Sequence, residues 1–466
     1  MPLCPGGSRN ATLSEVRSTS DSWRTIVRLP FPKTFVLFLV CGCSLCNALH
    51  SFAHGETSVL CSATQEPGAD TERTGGPNNR VADNLQREAK SSASATTASL
   101  EFPRSTFYRV STDPSATPDQ KRVVSILKQK VGKQDDREAY VALRSRRALS
   151  LSNLDLIDIS LIADLVNLVD LSLGNNRIKD ISPLENLRGL KSLYLSNNRI
   201  SDISPLAGLG NLEELYLSHN MISGVDALSS LSSLFKVRLD HNRIKDVSSL
   251  PSAHAMMELN LGGNLIQDIT ALARFANREK TIICRYDIEF LTLSNNRIRD
   301  LSPLKGLMIS SLNLSGNAMV DMEGLVGADG INNLIFTNSG LDSAECFAKL
   351  VQLEILNVSG NRISDVSPLS RLENLISVDL SSNTLCNPTP LAGLPRIQSL
   401  YLEHNPISDI TDLSSALARR DRKGQINLIG CPAGKDVASI KRLEDSGWSV
   451  YTDKDIVPMP GTSHGP

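Results

Sequence analysis

The chain has 466 residues, with 48 basic and 50 acidic side chains and a formal net charge of −2. That balance gives no global attraction to nucleic acid or to an anionic membrane. Aromatics make up only 4% of the residues, so any core is aliphatic, and nine cysteines are too sparse for a disulfide scaffold.

In chain order, residues 1–53 come first and contain the apolar run 34–49, TFVLFLVCGCSLCNAL, with Arg24, Arg28 and Lys33 ahead of it. A basic flank, an apolar stretch too short to span a bilayer comfortably and a small-residue exit at Ser51-Phe52-Ala53 read as a secretory signal. Translation starting near Val27 would explain the long lead before it. Cys43 sits in a loose lipobox, Val40-Cys41-Gly42-Cys43, and is the candidate for lipidation. The bland alternative is a set of cysteines in a discarded signal core. Residues 54–117 are rich in Ser, Thr, Gly, Ala and Pro, and too poor in apolar residues to offset their ordering entropy. They are expected to be a disordered linker.

From Pro118 the pattern becomes helical. Val123, Val124, Ile126, Leu127 and Val131 share one face, and Ala139, Val141, Ala142 and Leu143 follow as a second short helix. Residues 118–148 are read as a helical N-terminal cap. Residues 149–431 are the repeat region and 432–455 a C-terminal cap, in which KDVASIKRLEDSG forms a helix closed by Gly447 and WSVYTD a last strand. Residues 456–466 are read as a disordered tail.

The repeat is the strongest signal. The Asn of LxLxxNxI falls at Asn176, Asn198, Asn220, Asn242 and Asn264, 22 residues apart. Asn296 follows after 32 and Asn317 after 21; Ser339, Asn361, Asn383 and Asn405 then come at steps of 22. Leu154 and Cys431 occupy the outer slots, giving 13 positions of which 10 are Asn. Each LxL reads as a short strand with both apolar residues inward and the residues between them outward. The buried Asn amides are expected to bond backbone groups of their own and neighbouring coils, forming an Asn ladder. Asp180, Asp202, Asp246, Asp268 and Asp300 stand four residues later, placed for a local turn bond. Pro183, Pro205, Pro303, Pro368 and Pro390 stand seven later and exclude a long return helix, favouring a short 3-10 turn.

This LxxLxxLxLSxNxIxDISPL pattern resembles the internalin type of bacterial leucine-rich repeat. It is similar too to the leucine-rich regulatory subunit of protein phosphatase 1. The resemblance covers about residues 118–455 and implies an α/β leucine-rich-repeat solenoid: a curved parallel β-sheet on the concave face, a short 3-10 or irregular convex side, and a helical N-terminal cap. It implies binding of another protein on the concave face and an exported bacterial protein at the cell surface or secreted. The alternative is an intracellular regulatory scaffold like the phosphatase subunit. No LPxTG-type sorting motif is visible, a departure from covalently anchored members.

Most outward strand positions are small or polar. The exception is Tyr194, Glu214, Tyr216, Lys236, Arg238, Asp240 and Glu258, the expected contact patch, because Tyr and Arg are common interface anchors. Tyr401 and Glu403 form a smaller group, and Arg278 and Lys280 stand in the 273–287 insertion. His219, His241 and His404 each precede a ladder position. The first two could share a metal with Asp240, but polar turn residues at a common position are the simpler reading, and no metal or cofactor is expected. Cys284, Cys346 and Cys386 are isolated. No GxSxG or HExxH is present, and Gly430 to Lys435 only mimics a phosphate loop, so no enzyme activity is expected. The expected partner is a protein rather than nucleic acid. Membrane contact is expected only through the N-terminal segment, and the chain is expected to be monomeric.

Overall fold

A computed structural model describes residues 104–251, 256–276, 286–317, 323–328 and 330–455. The signal-like run, Cys43, residues 54–103, Cys284, Arg278, Lys280 and the 456–466 tail lie outside the described residues. Among the described residues no helix is long and apolar enough to cross a membrane.

The chain enters through three helices, α1 (Thr106–Thr112), α2 (Pro118–Val131) and α3 (Asp136–Arg144). Thr117 and Gln120 form a reciprocal capping box at the start of α2, and Gly132, at φ 67°, ends it in the left-handed region. Asp135 caps α3 by accepting from the Glu138 amide. The pair expected from periodicity is therefore present, with adjusted burial. Val123 and Leu127 are fully inside, while Val124, Ile126 and Val131 are only partly buried. Tyr140, which the apolar pattern passes over, is 1% exposed.

Helix α1 departs from the expected linker, which was read as running to residue 117. It is polar by composition, but one aromatic side chain anchors it: Phe107 is buried against the ring of Tyr140, centroids 6.2 Å apart. Ser105 caps α1 at Tyr108 N, and Asp164 of the first coil accepts from Thr106 N. Composition averages over a window and misses a single buried ring.

Beyond the cap, one 14-stranded parallel sheet runs in strict chain order, from β1 (Ala148–Ser150) to β14 (Ser449–Tyr451). Neighbouring strands pair at the repeat register, so Tyr194 lies beside Tyr216 and Glu214 beside Lys236. The two apolar residues of each LxL point inward; Leu193, Leu195, Leu215 and Leu217 are all completely buried.

The return side is a 3-10 turn in coil after coil, such as Ser182–Leu184 and Ser204–Gly208. The aspartates four after the ladder residue do what their spacing suggests. Asp180, Asp202, Asp246 and Asp300 each accept from the amide two residues on, as Asp268 does from Thr270. Those backbone and hydroxyl donors hold the carboxyls of Asp202, Asp246 and Asp268 below the usual range. One return segment is a true α-helix, α4 (Thr411–Ala418). The step from Asn405 to Cys431 is 26 residues, four more than the usual 22, which gives this return the length for a helix. The C-terminal cap follows as α5 (Val437–Asp445), ending at Gly447 with φ 95°, and Trp448, 2% exposed, closes the core.

The Asn ladder is realised. In a typical coil, Asn198 Oδ1 accepts from Ile178 N at 3.0 Å, and its Nδ2 donates to Leu173 O at 3.0 Å and Leu195 O at 2.9 Å. Asn176, Asn198, Asn242, Asn264, Asn296, Asn317, Asn361, Asn383 and Asn405 are buried, while Asn220 is half-buried. Cys431 keeps part of the arrangement, its thiol reaching Leu402 O at 3.0 Å.

Candidate protein-binding face

Strand alternation sends the residues between the buried leucines to the opposite face. Along most coils that face carries serine, threonine or asparagine. Across three neighbouring strands, β3 (Ser192–Tyr194), β4 (Glu214–Tyr216) and β5 (Lys236–Arg238), together with β6 (Met256–Asn260), it carries aromatic and charged residues instead.

The structure places the seven expected residues on adjacent strands; six of them pair with one another, and Asp240 pairs with Ser218. Tyr194 and Tyr216 stack at 4.5 Å between ring centroids with 10° between planes. Both hydroxyls donate to Glu214 Oε2 at 3.2 Å, and Lys236 Nζ lies 3.2 Å from Glu214 Oε1. Arg238 forks onto Glu258 at 2.6 and 3.2 Å, while its guanidinium lies 5.4 Å from the Tyr216 ring. Ser218 Oγ donates to Asp240 Oδ1 at 2.6 Å. Although both tyrosines stand at outward strand positions, their rings are half-buried in this network. Burial, and then the Glu214 carboxylate, pushes the Tyr194 hydroxyl up to about 12 and raises Tyr216 as well, so both remain neutral hydrogen-bond donors.

The smaller group near the C-terminal end is also a network. Tyr401 accepts from Gln425 Nε2 at 2.6 Å, and Ser381 Oγ lies 2.6 Å from both Glu403 Oε2 and Asp379 Oδ1. Burial raises the Glu403 carboxyl. Gln425, Asp379 and Ser381 joined this group only through register, which the sequence contains once the coils are aligned. Elsewhere, Pro432–Lys435 is an ordinary 3-10 turn. Cys346 and Cys386 are free, with the Cys346 thiol pushed by burial to about 11.

His219, His241 and His404 occupy the left-handed turn that precedes the ladder residue, at φ 56°, 54° and 55°. Asn175, Asn197 and Asn295 hold the same conformation in other coils, as do Gly263 and Gly316. The common-position reading therefore has a backbone cause: the turn needs a residue that tolerates positive φ.

A parallel sheet in chain order, 3-10 returns and a buried Asn ladder define a leucine-rich-repeat protein. The leucine-rich-repeat family model matches residues 188–244 and 351–407. The repeats are similar to those of internalins. Internalin F from Listeria monocytogenes is 27% identical, with a TM-score of 0.53 over 65% of this chain and 94% of its own. Internalin C2 from the same organism is also 27% identical, with a TM-score of 0.38 over 46% of this chain and 91% of its own. No curated protein matches the chain.

Proposed function

We propose that this chain is an exported protein-binding module that recognises its partner through the strand face around Tyr194 and Tyr216. The observation that carries this reading is the tyrosine stack. Two parallel rings 4.5 Å apart, each tied to Glu214, stand among charged side chains on a face that most other coils line with small polar residues. Such a pair offers rigid, amphipathic contact area whose rotamers are already fixed, so little entropy is lost on binding. Lys236, Arg238, Asp240 and Glu258 surround it and tune partner choice and association rate more than affinity. The apolar run at residues 34–49 supports export, and mass spectrometry of the mature N-terminus from native cells tests that part directly.

The binding part is tested by the double variant Tyr194→Ala with Tyr216→Ala. It is expected to cost about 2 kcal/mol or more of partner affinity, the scale of an interface hot spot. Melting of the variant is measured alongside, because truncation also removes two half-buried rings and their bonds to Glu214. Affinity capture with the wild type and the variant in parallel, followed by titration of each recovered partner, reads the outcome. Partners bound equally by both proteins would move the binding surface away from this patch.

A further inference from the structure

We propose that His219, Asp240 and His241 form a binding site for a divalent transition-metal ion at the edge of the strand face. Among the described residues these three are the histidine, cysteine or carboxylate side chains that come close enough to hold one ion together, with a ligand atom of each within 4.8 Å of the others. The imidazoles of adjacent coils lie 4.2 Å apart and nearly parallel, at 9°.

The backbone does not demand this arrangement. The turn is satisfied by Asn at 175, 197 and 295 and by Gly at 263 and 316, so histidine at two successive coils is a choice of side chain. The carboxylate is equally selective. The position of Asp240, two before the ladder residue, carries Ser, Gly, Thr or Ile in every other coil except at Glu403. Glu403 also precedes a histidine, His404, but no second imidazole stands alongside, because the next coil has Gly430.

Supporting groups hold the three in place. Ser218, 8% exposed, donates to Asp240 Oδ1 and fixes the carboxylate while leaving Oδ2 for an ion. Hydrogen bonds of this kind orient ligating carboxylates in metal sites. Gly263 provides the seat for His241: a Cβ at that position would lie 2.9 Å from Nδ1. Partial desolvation, and then the neighbouring imidazole, lowers the His219 basicity.

Two imidazoles and one carboxylate suit zinc and the later first-row ions, not calcium or magnesium, which prefer oxygen. Donors about 2.1 Å from one ion stand roughly 3.4 Å apart, so on binding the donors close by up to about 1.4 Å and the stacked rings tilt until both planes meet at the ion. Torsions of two exposed imidazoles supply that movement. Three protein ligands leave a coordination position for water or for a donor from outside. The site rests on its own geometry and does not depend on the tyrosine patch being a contact surface.

The test uses the full chain, stripped with chelator, and Zn2+ alone as probe by calorimetry, with Co2+ absorption as a second readout. Cysteines elsewhere in the chain also bind zinc, so the decisive quantity is the difference from the double variant His219→Asn with His241→Asn. Asparagine is the side chain that neighbouring coils carry in this turn, so folding is preserved, and circular dichroism checks it. The wild type is expected to bind one more equivalent than the double variant, with a dissociation constant in the micromolar range or tighter. Asp240→Asn should weaken that equivalent by about tenfold or more. Equal stoichiometry in wild type and double variant, including none in either, overturns the proposal.

Discussion

Asn176→Leu is expected to destabilise the solenoid by about 4 kcal/mol, against about 2 kcal/mol for Asn198→Leu, at roughly 1–3 kcal/mol for each buried polar group left unpaired. Counting neighbours alone would rank them in reverse, because end coils have fewer. The bond pattern decides otherwise. Leu173 O receives donors from both Asn176 and Asn198, and Leu195 O from both Asn198 and Asn220. Removing Asn198 therefore leaves each carbonyl one partner and strands chiefly the Ile178 amide. Asn176 stands next to Leu154, which has no side-chain amide to share the load. It alone accepts from Leu154 N and Leu156 N, and it alone donates to Leu151 O. Asn361, following Ser339, is placed in the same way: it accepts from Ser339 N and Leu341 N and donates to Phe336 O. Denaturant melts of the three Leu variants test the ordering. A loss at Asn198 equal to or greater than that at Asn176 would mean that the shared carbonyls are not redundant.

The same contrast marks how much of this molecule was legible in its sequence. The coil, its inward leucines, the ladder and the Asp turn follow from a 22-residue period, because each is enforced by local backbone geometry repeated many times. Strand register came with it, so the seven patch residues could be named and their adjacency anticipated. Their pairing could not. That Glu214 serves two tyrosines and a lysine, or that Arg238 chooses Glu258 and lies over Tyr216, depends on rotamers that periodicity does not encode. The histidine stack was visible as a spacing, but the partner that orients Asp240 was not, since Ser218 looks like any other serine on the strand face.

Helix α4 was missed for a different reason. Its signal is a longer step to the next coil, 26 residues rather than 22, and a repeat template tends to treat such a departure as decay. Both irregular coils of the ladder show that departures need not mean loss of structure. The Ser339 coil keeps its strand, Asn333–Ile335, and fills its core with Phe336 and Phe347 packed edge to face at 6.4 Å. The coil carrying the insertion returns to the sheet through Asp287, 6% exposed, whose carboxylate accepts from Met308 N.

Phe107→Ala is expected to cost about 3 kcal/mol or more, the usual range for truncating a fully buried phenylalanine. Phe107 is 1% exposed although it stands in a stretch whose composition suggests no core at all. Its ring is the main apolar attachment of α1, which otherwise holds by the Ser105 cap and the Asp164 bond to Thr106 N. The consequence reaches beyond one helix. Tyr140 packs against Phe107 and, with Val123, Leu127 and Leu143, covers the first coil, where Leu149, Leu151 and Leu156 would otherwise meet water. A solenoid end stripped of its cover exposes both apolar side chains and the free edge of β1. The variant should therefore melt earlier and lose hydrogen-exchange protection first over residues 106–156, while strands near β14 keep theirs. Val110→Ala on the same helix, where the side chain is only partly buried, should cost under about 1 kcal/mol. A Phe107→Ala protein with wild-type protection across residues 106–156 would show that α1 rests on the cap without helping to close it.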